Sequence, residues 1–369
     1  MTLVGTRPEL IKMSRIISAL DEHFDHILVH SGQNYDYELN QVFFEELEIR
    51  KPNFFLNSAS DTPIKTISNI LVSIDEIFES EKPDTFLIYG DTNTCLAVIA
   101  AKKRKIPVFH MEAGNRCFDQ RVPEELNRKI VDHLSDINIV LTEHARRYLL
   151  QEGISPETIF KSGSHMLEVL NYYEDKIEKS KILDKLKLEK KGYFLVSIHR
   201  EENVETEVNL KEIFNSLVTL SEKYKIPIVV STHPRTQNRL DALSISSNEK
   251  IKFLKPFGFF DYVFLQKNAK CVISDSGTIT EEASLLNIPA ITIRNMHERP
   301  EGMDAGVLVL SGLRADRVVE SVSIALAVYE KHKHNREKVG DYENSNVSSK
   351  IVNLVQSYTD YINRTVWKK

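Results

Sequence analysis

The feature that most constrains this chain is an alternation of short apolar runs with longer amphipathic stretches, which occurs twice along its length. In the first half the apolar residues occupy consecutive positions, as in parallel strands that are buried on both faces. This alternation predicts a doubly wound α/β domain with a parallel sheet. The predicted strands lie at 2–4, 27–30, 85–89, 107–111 and 137–141, and the predicted helices at 8–20, 63–81, 92–105, 123–134 and 142–152.

The same pattern restarts after a segment rich in Lys and Glu at 176–191, which we interpret as a solvated connector with a short helix. We therefore predict two Rossmann-like domains, at 1–172 and 173–348, followed by a last helix within 349–369. Sites in open α/β sheets lie at the carboxyl ends of the strands, so two such domains predict one cleft between those ends. The second set of strands is predicted at 193–199, 227–232, 252–254, 270–274 and 289–293, and its clearest helices at 208–224 and 279–287.

Length and composition agree with this division and exclude several classes of protein. At roughly 150 residues per domain, 369 residues predict two domains. A net charge of −5 argues against nucleic acid as a partner held by bulk charge, but it leaves room for a local cationic pocket. No apolar run approaches the roughly 18 residues of a membrane helix, and the first residues do not resemble a signal peptide.

The cysteines and the missing cofactor motifs narrow the possibilities further. Cys95, Cys117 and Cys271 form no disulfide framework, so we predict buried thiols in a cytoplasmic protein. No zinc-binding pattern, dinucleotide-binding glycine motif or Walker A loop occurs, so we predict neither a metal nor a cofactor. His332 and His334 alternate with lysines and are expected on a solvated helix face.

Two turns between a strand and a helix are candidate anion sites, one in each half of the chain. The segment 5–9 combines a glycine, a helix N-terminus and Arg7, with Lys12 about one turn further on. The segment 275–278 offers hydroxyls and backbone N–H groups after a strand, with Glu282 on the following helix. The alternatives are an ordinary turn with a surface arginine and a helix cap without a ligand. Together the two turns could grip a diphosphate from both sides.

A third group is acidic and lies at strand ends of the first half. Asp91 and Glu112 each follow a predicted strand, and Glu124 and Glu125 begin a helix close behind. Converging carboxylates shift each other's pKa apart, which suits general acid–base chemistry. The glutamate pair could instead merely complement a helix dipole. Asp91 and Glu112 are harder to explain that way, because carboxylates buried at strand ends require partners.

The second half adds two histidines and an arginine at strand ends. His199 and His233 end its first two strands, and imidazole is a natural proton carrier near neutral pH. A core or capping histidine is the alternative for either one. Arg299 follows the last strand and adds a positive charge.

Seven ordered motifs now give the chain a family resemblance across almost its full length: it resembles the non-hydrolysing UDP-N-acetylglucosamine 2-epimerases. The resemblance implies a fold like that of GT-B glycosyltransferases, a homodimer, and a last helix that packs back on the first domain. The motifs are VGTRPE at 4–9, GDT at 90–92, HMEAG at 110–114, PEELNR at 123–128, HREEN at 199–203, DSGT at 275–278 and ERPE at 298–301.

The resemblance also implies a reaction and a set of site residues. UDP is expelled as the C2 proton is removed, and it re-adds to 2-acetamidoglucal as a proton returns on the other face, with neither metal nor nicotinamide. The implied catalytic residues are Asp91, Glu112, Glu124 and His199. The residues implied to bind substrate phosphates or sugar are Arg7, Lys12, Arg128, Ser276, Gly277 and Arg299. Glu282 is implied to bind ribose, and Pro256 and Phe257 are implied to lie beside uracil. His233 and Thr278 are added to the substrate-binding set because of their positions.

Three segments depart from the commoner family pattern. They are 115–122, 32–36 and 255–261, and they resemble the subgroup that forms UDP-N-acetyl-L-fucosamine. That subgroup epimerises C2 of a 6-deoxy talose-type precursor, so the sugar of this chain is either that precursor or UDP-GlcNAc/UDP-ManNAc. The family's effector site uses the region of Gln33, which is altered here. The resemblance places the reaction in surface polysaccharide synthesis, such as capsule or O-antigen.

Three other functions remain open at this stage. A GT-B glycosyltransferase would share the diphosphate site but would need an acceptor and has no evident use for three carboxylates. A non-catalytic UDP-sugar sensor would tolerate Asp91→Asn. A hydrolysing epimerase, in which water captures the intermediate, would release free UDP.

Overall fold

The computed structural model describes residues 1–32, 44–243, 245–247 and 249–369. Within them the chain forms two compact units, Met1–Asn171 with Asp341–Lys369, and Tyr172–Gly340. Gln33, expected at an effector site, lies outside the described residues.

Thirteen strands in the described part of the chain build two sheets, and every strand pair is parallel. The first sheet has the order β3-β2-β1-β4-β5-β6-β7 and the second β10-β9-β8-β11-β12-β13, and this confirms the predicted α/β class. The strands are β1 Thr2–Val4, β2 Leu28–His30, β3 Phe54–Phe55, β4 Phe86–Tyr89, β5 Val108–Met111, β6 Ile137–Val140, β7 Ile159–Lys161, β8 Phe194–Ile198, β9 Ile228–Thr232, β10 Ile251–Leu254, β11 Cys271–Ser274, β12 Ala290–Thr292 and β13 Val309–Leu310.

The helices connect these strands as parallel sheets require. None in the described part of the chain is both long and apolar enough to cross a membrane. Their bounds are α1 Arg7–His23, α2 Pro63–Glu81, α3 Val98–Lys103, α4 Pro123–Leu134, α5 Glu143–Gln151, α6 Met166–Tyr172, α7 Glu174–Glu178, α8 Ile182–Leu186, α9 Glu201–Val204, α10 Glu207–Tyr224, α11 Pro234–Ala242, α12 Phe259–Asn268, α13 Ile279–Leu285, α14 Glu301–Asp304, α15 Ala315–His332 and α16 Val347–Ile362.

The local sequence explains how α1, the helix of the first candidate anion turn, begins. The Thr6 hydroxyl caps α1 by accepting the Glu9 N–H at 3.5 Å, and Pro8 occupies the first turn. The apolar face of the helix, including Leu10 and Met13, is fully buried. As the resemblance implied, α16 packs back against α1 in the first unit.

The sequence-based strands differ from the structure at the sheet edges. The strands predicted from the sequence do not include β3, β7 and β13, which are only two or three residues long and lie at the ends of the two sheets. A run of two or three residues shows no periodicity that could be recognised. The helix expected at 92–105 instead begins as a 3₁₀ turn, Asn93–Ala97, and continues as α3.

The connector is also less solvated than predicted. Ile177 and Leu183 are buried, and the short helices α7 and α8 that carry them pack against α12. Tyr173 adds a ring contact to Phe260, with the centroids 5.3 Å apart. These few apolar residues are enough to pack against α12, because the long charged side chains between them can extend from the partly buried backbone into solvent.

Candidate active site

Each sheet has one switch point, at which the order of the strands reverses direction. Several of the motifs found in the sequence follow the strands on either side of these switch points. The first sheet reverses between β1 and β4, which lead into the turns at 5–6 and 90–91. The second sheet reverses between β8 and β11, which lead into those at 199–200 and 275–276. Open α/β sheets bind ligands at such switch points.

Glu112 lies just past β5 and is held by a set of buried side chains. The Lys12 ammonium lies 2.8 Å from its Oε2 atom, and the Tyr89 hydroxyl donates to the same oxygen. The Asn115 amide donates to Oε1 at 3.4 Å. Glu112 has a left-handed backbone, φ 63°, which non-glycine residues seldom adopt and which is often found at functional sites. Lys12, expected to bind substrate phosphate or sugar, therefore pairs with a carboxylate within its own unit.

Asp91 lies past β4 and is joined to the start of α4. The Arg128 guanidinium donates to Asp91 through Nε at 2.8 Å and to Glu125 through Nη1 at 2.9 Å. Glu125 also accepts the N–H of Cys117 at 3.1 Å, which ties it to the loop that follows β5. Glu124, the third carboxylate expected in catalysis, is half-buried in the first turn of α4. The structure thus brings Asp91, Arg128 and Glu125 together.

Glu9 belongs to the first candidate anion turn, but sequence reasoning gave it no role. Its carboxylate accepts the Gly5 N–H at 2.6 Å and the Thr92 hydroxyl at 2.9 Å, so it spans the turns after β1 and β4. Burial raises the pKa of Glu9 to about 7, although these hydrogen bonds oppose the rise. Arg7 is half-buried in the first turn of α1.

In the second unit, one fully buried aspartate organises the corresponding turns. Asp275 accepts the backbone N–H of His199 at 3.0 and 3.1 Å, that of Arg200 at 2.9 Å and the Asn203 amide at 3.0 Å. The His199 ring also lies 3.1 Å from it through Nδ1. Burial alone would raise the pKa of Asp275, but the His199 charge and these hydrogen bonds hold it below its usual range.

Hydroxyl groups line the turn after β11. Ser276 and Thr278 are hydrogen-bonded through their hydroxyls at 2.9 Å, and Thr278 donates to Glu282 at 3.1 Å. Gln266 donates to the other Glu282 oxygen at 2.5 Å. A Cβ atom on Gly277 would lie 2.5 Å from Oε1 of Glu298, so this position leaves no room for a side chain. The turn therefore concentrates donors beside a closely packed glycine.

The remaining predicted residues of the second unit lie around the same sheet. Arg299 is buried and pairs with Glu281 at 3.2 Å. His233 is exposed directly after β9, next to the strand that leads to His199. Pro256 is exposed and Phe257 half-buried between β10 and α12. No group of three or more His, Cys, Asp and Glu among the described residues is arranged to hold a metal ion.

Comparison with known proteins places these features in a family. The family model described as UDP-N-acetylglucosamine 2-epimerase matches residues 18–356. A curated UDP-N-acetylglucosamine 2-epimerase of Methanocaldococcus jannaschii is 38% identical over 88% of this chain and 91% of its own.

Solved structures are similar over nearly the whole chain. The UDP-N-acetylglucosamine 2-epimerase from Rickettsia bellii is 57% identical, covers 100% of this chain and 99% of its own, and has a TM-score of 0.93. The M. jannaschii UDP-GlcNAc 2-epimerase, solved in complex with UDP-GlcNAc and UDP, is 35% identical over 96% of this chain and 98% of its own, with a TM-score of 0.88. This chain therefore belongs to the UDP-N-acetylglucosamine 2-epimerase family.

Proposed function

We propose that this enzyme reversibly epimerises C2 of a UDP-N-acetylhexosamine by eliminating and re-adding UDP, without hydrolysis. One observation carries the proposal most directly: Asp91 and Glu112 end neighbouring strands, and each carboxylate is held by a basic side chain. Two fixed carboxylates near one switch point suit a reaction that takes a proton from carbon and returns one.

The reaction balances without an oxidant or reductant. A carboxylate takes the C2 proton, the C–H electron pair forms the C1–C2 double bond, and the C1–O bond breaks with its electrons leaving on UDP. In the second step a β-phosphate oxygen of UDP attacks C1 while a proton is delivered to the opposite face of C2. Charge on the departing diphosphate must be stabilised, and water must be excluded from the intermediate.

The proposed roles follow the contacts within each unit. Asp91, Glu112 and Glu124 supply acid–base groups, and His199 serves the diphosphate or a proton transfer. The structure supports a fixed orientation for Glu112 most strongly, because Lys12 and Tyr89 both hold it. The remaining members of the proposed substrate-binding set are Arg7, Arg128, His233, Pro256, Phe257, Ser276, Gly277, Thr278, Glu282 and Arg299.

The substrate is proposed as a class with two candidate sugars. Relatives are named for UDP-GlcNAc, whereas the 115–122 loop resembles the subgroup that uses the 6-deoxy talose-type nucleotide. Arg116 of this loop is fully buried and donates to Asp132 and Glu152, so the loop has a defined conformation. A defined loop of altered sequence beside Glu112 is a reasonable determinant of which sugar is accepted.

An exchange experiment tests the function and identifies the sugar. The enzyme is incubated in D₂O with UDP-GlcNAc and, separately, with the 6-deoxy talose-type nucleotide, and C2 is followed by NMR. Deuterium at C2 together with a new epimer is expected with at least one of them. Absence of exchange with both would overturn the proposal, net release of free UDP would indicate a hydrolysing enzyme, and turnover only with an added acceptor would indicate a glycosyltransferase.

We further propose a cytoplasmic homodimer. Ile64 and Val72 on α2 are exposed by 72% and 61%, and we propose that a second copy covers them. The cytoplasm suits three buried thiols that form no disulfide. Light scattering should give twice the mass of one chain, and replacing both apolar residues by Glu should give a monomer; an unchanged mass would contradict this interface.

A further inference from the structure

One buried aspartate in α4 contacts the turn after Glu112 directly and is linked to the turn that carries Asp91 through His110. Asp132 is 1% exposed and accepts the Gly114 N–H at 3.2 Å with each carboxylate oxygen. Its Oδ1 atom also lies 2.9 Å from Nδ1 of His110. Gly114 is only two residues beyond Glu112, so Asp132 fixes the backbone directly behind that carboxylate.

His110 connects Asp132 to the turn that carries Asp91. Its Nε2 atom lies 2.7 Å from the carbonyl oxygen of Gly90, the residue before Asp91. The carbonyl oxygen can only accept a hydrogen bond, so Nε2 of His110 is the donor. The Nδ1 side of the same ring faces Asp132, so the ring lies between the two turns.

A buried guanidinium extends this network. Arg116 donates to Asp132 at 2.7 Å and to Glu152 at 2.6 and 2.8 Å, so one guanidinium faces two carboxylates. Such a network is costly to break, because removal of one member leaves another charge buried without its partner. The arrangement is thus well suited to hold the two turns in one conformation.

The backbone of these turns needs that support. Gly90, Glu112 and Gly114 all have positive φ, at 77°, 63° and 81°. For Glu112 this conformation is unfavourable by about 1 kcal/mol or more, and it persists only where the surroundings fix it. Two hydrogen bonds fix the neighbouring backbone: the Gly90 carbonyl accepts from His110, and the Gly114 N–H donates to Asp132.

We propose that Asp132 and His110 are positioning residues for the proposed epimerisation: together they set the orientation of Asp91 through the Gly90 carbonyl and that of Glu112 through the Gly114 amide. The inference rests on the proposed function, but its structural part can be tested without turnover. Neither side chain contacts substrate, since both are buried by 99%. A small displacement of reacting groups can cost about a hundredfold in rate.

Three variants test the assignment, and one of them is a matched control. Asp132→Asn and His110→Gln each change one side of the contact between Asp132 and the His110 ring. Asp136→Asn is the control, because Asp136 is also buried, pairs with Lys102 at 2.5 Å and accepts the Val108 N–H at 2.9 Å, but it lies at the amino end of β5. Thermal melts establish that each variant is folded, and kcat and KM are measured with the nucleotide sugar that the wild type converts.

The expected result is a split between kcat and KM. Asp132→Asn and His110→Gln should lower kcat by about tenfold to a hundredfold with KM within about threefold of wild type, whereas Asp136→Asn should keep kcat within about twofold. Unchanged kcat in a folded Asp132→Asn or His110→Gln variant overturns the proposal, and so does an equal loss in the control.

A measurement without turnover separates this inference from the proposed function. In ¹⁵N-glycine-labelled enzyme without substrate, the amide signals of Gly90 and Gly114 should shift in folded Asp132→Asn and His110→Gln, whereas Asp136→Asn should leave both signals unchanged. Unchanged Gly90 and Gly114 signals in both variants overturn the inference, even if the enzyme is active. Shifted signals support it, even if the substrate class proves wrong.

Discussion

The two units place charge at their switch points in different ways. In the first unit, Glu112 and Asp91 are each paired with a basic side chain, Lys12 and Arg128. In the second, Asp275 is held mainly by N–H groups of the backbone, and the turn that follows it carries the hydroxyls of Ser276 and Thr278. Side-chain pairs can exchange protons and reorganise during a reaction, whereas backbone donors are fixed. The difference suggests that the first unit supplies proton transfer and the second unit supplies binding.

The pKa shifts of two buried carboxylates, Glu9 and Asp275, also differ between the units. Burial raises the pKa of Glu9 in the first unit to about 7, so this group favours the neutral acid when the protein is folded. The pKa of Asp275 in the second unit is lowered, so this group favours the anion when folded. The stabilisation that each of these two groups contributes should therefore change with pH in opposite directions.

The strongest test of the contrast is Glu112→Gln. The amide fills the same space but cannot take up a proton, so kcat for C2 epimerisation should fall by about ten-thousandfold, which corresponds to about 5 kcal/mol. UDP affinity, which we assign to the second unit, should change by less than about threefold. Deuterium exchange at C2 and UDP titration calorimetry measure the two quantities.

Glu79→Gln provides the control for this substitution. Glu79 is a glutamate of the same unit, 72% exposed on α2, and its replacement should leave both quantities unchanged. If Glu112→Gln retained more than a tenth of the wild-type kcat, or if it abolished UDP binding, the division of labour between the units would be wrong.

How far the sequence could predict this contrast depends on the kind of signal each residue gives. Strand ends rich in Gly, Asp and Glu marked Asp91, Glu112 and Ser276 as candidates, because parallel strands deliver their carboxyl ends to one edge of a sheet. The fold class followed from the alternation of apolar and amphipathic runs and is confirmed. The roles of the individual site residues remain predictions.

The residues that hold the candidates could not be found in this way. Asp132 and Tyr89 lie within a helix and a strand, where one polar residue among apolar neighbours gives no local signal. Their partners are 18 and 23 residues away in the chain, at Gly114 and Glu112, so only the folded arrangement joins them. The contact between Lys12 and Glu112 could not be seen in the sequence either, and the role of Lys12 in substrate binding stays a prediction.

Asp275→Asn tests the second unit. The amide has one accepting oxygen in place of two and turns an NH₂ group toward N–H donors, so the unfolding free energy of this unit should fall by about 4 kcal/mol at pH 7. Because the folded pKa is lowered, the stabilisation is present above the unfolded value near 4 and is lost as the pH falls through the folded value. The difference between wild type and variant should therefore shrink in acid.

Hydrogen exchange of peptides from β8 and β11, followed by mass spectrometry, reports this loss within the unit itself. Asp316→Asn, which changes a half-exposed aspartate of α15, should alter the exchange by less than about 0.5 kcal/mol. An Asp275→Asn protein with wild-type protection in β8 and β11 would show that the N–H contacts do not stabilise the unit.

Glu9→Gln tests whether the stability that Glu9 contributes in the first unit changes with pH in the direction opposite to that of Asp275. With a folded pKa of about 7 against an ordinary 4.5, Glu9 contributes stability that is complete below pH 4.5 and is lost as the pH rises through 7. The unfolding free energy of wild type relative to Glu9→Gln should thus fall by about 3 kcal/mol between pH 4.5 and pH 8. Urea unfolding at both pH values measures it, and Glu22→Gln, exposed on the same helix, should show no such change. A constant difference would mean that the pKa of Glu9 is the same in the folded and the unfolded protein.

The prediction with the smallest expected effect tests whether close packing at Gly277 contributes to UDP binding in the second unit. A methyl group on residue 277 would lie 2.5 Å from the Glu298 carboxylate, which the Arg200 and Arg294 guanidinium groups hold at 3.0 and 2.6 Å, so this oxygen cannot move aside freely. Gly277→Ala should displace the Ser276 turn and weaken UDP binding by about tenfold, or about 1.4 kcal/mol. Gly340→Ala is the matched control, because nothing lies within 4 Å of its added carbon and it should bind UDP as wild type does. If both alanine variants bind UDP equally well, the turn tolerates displacement, and fixed backbone donors do not account for binding in this unit.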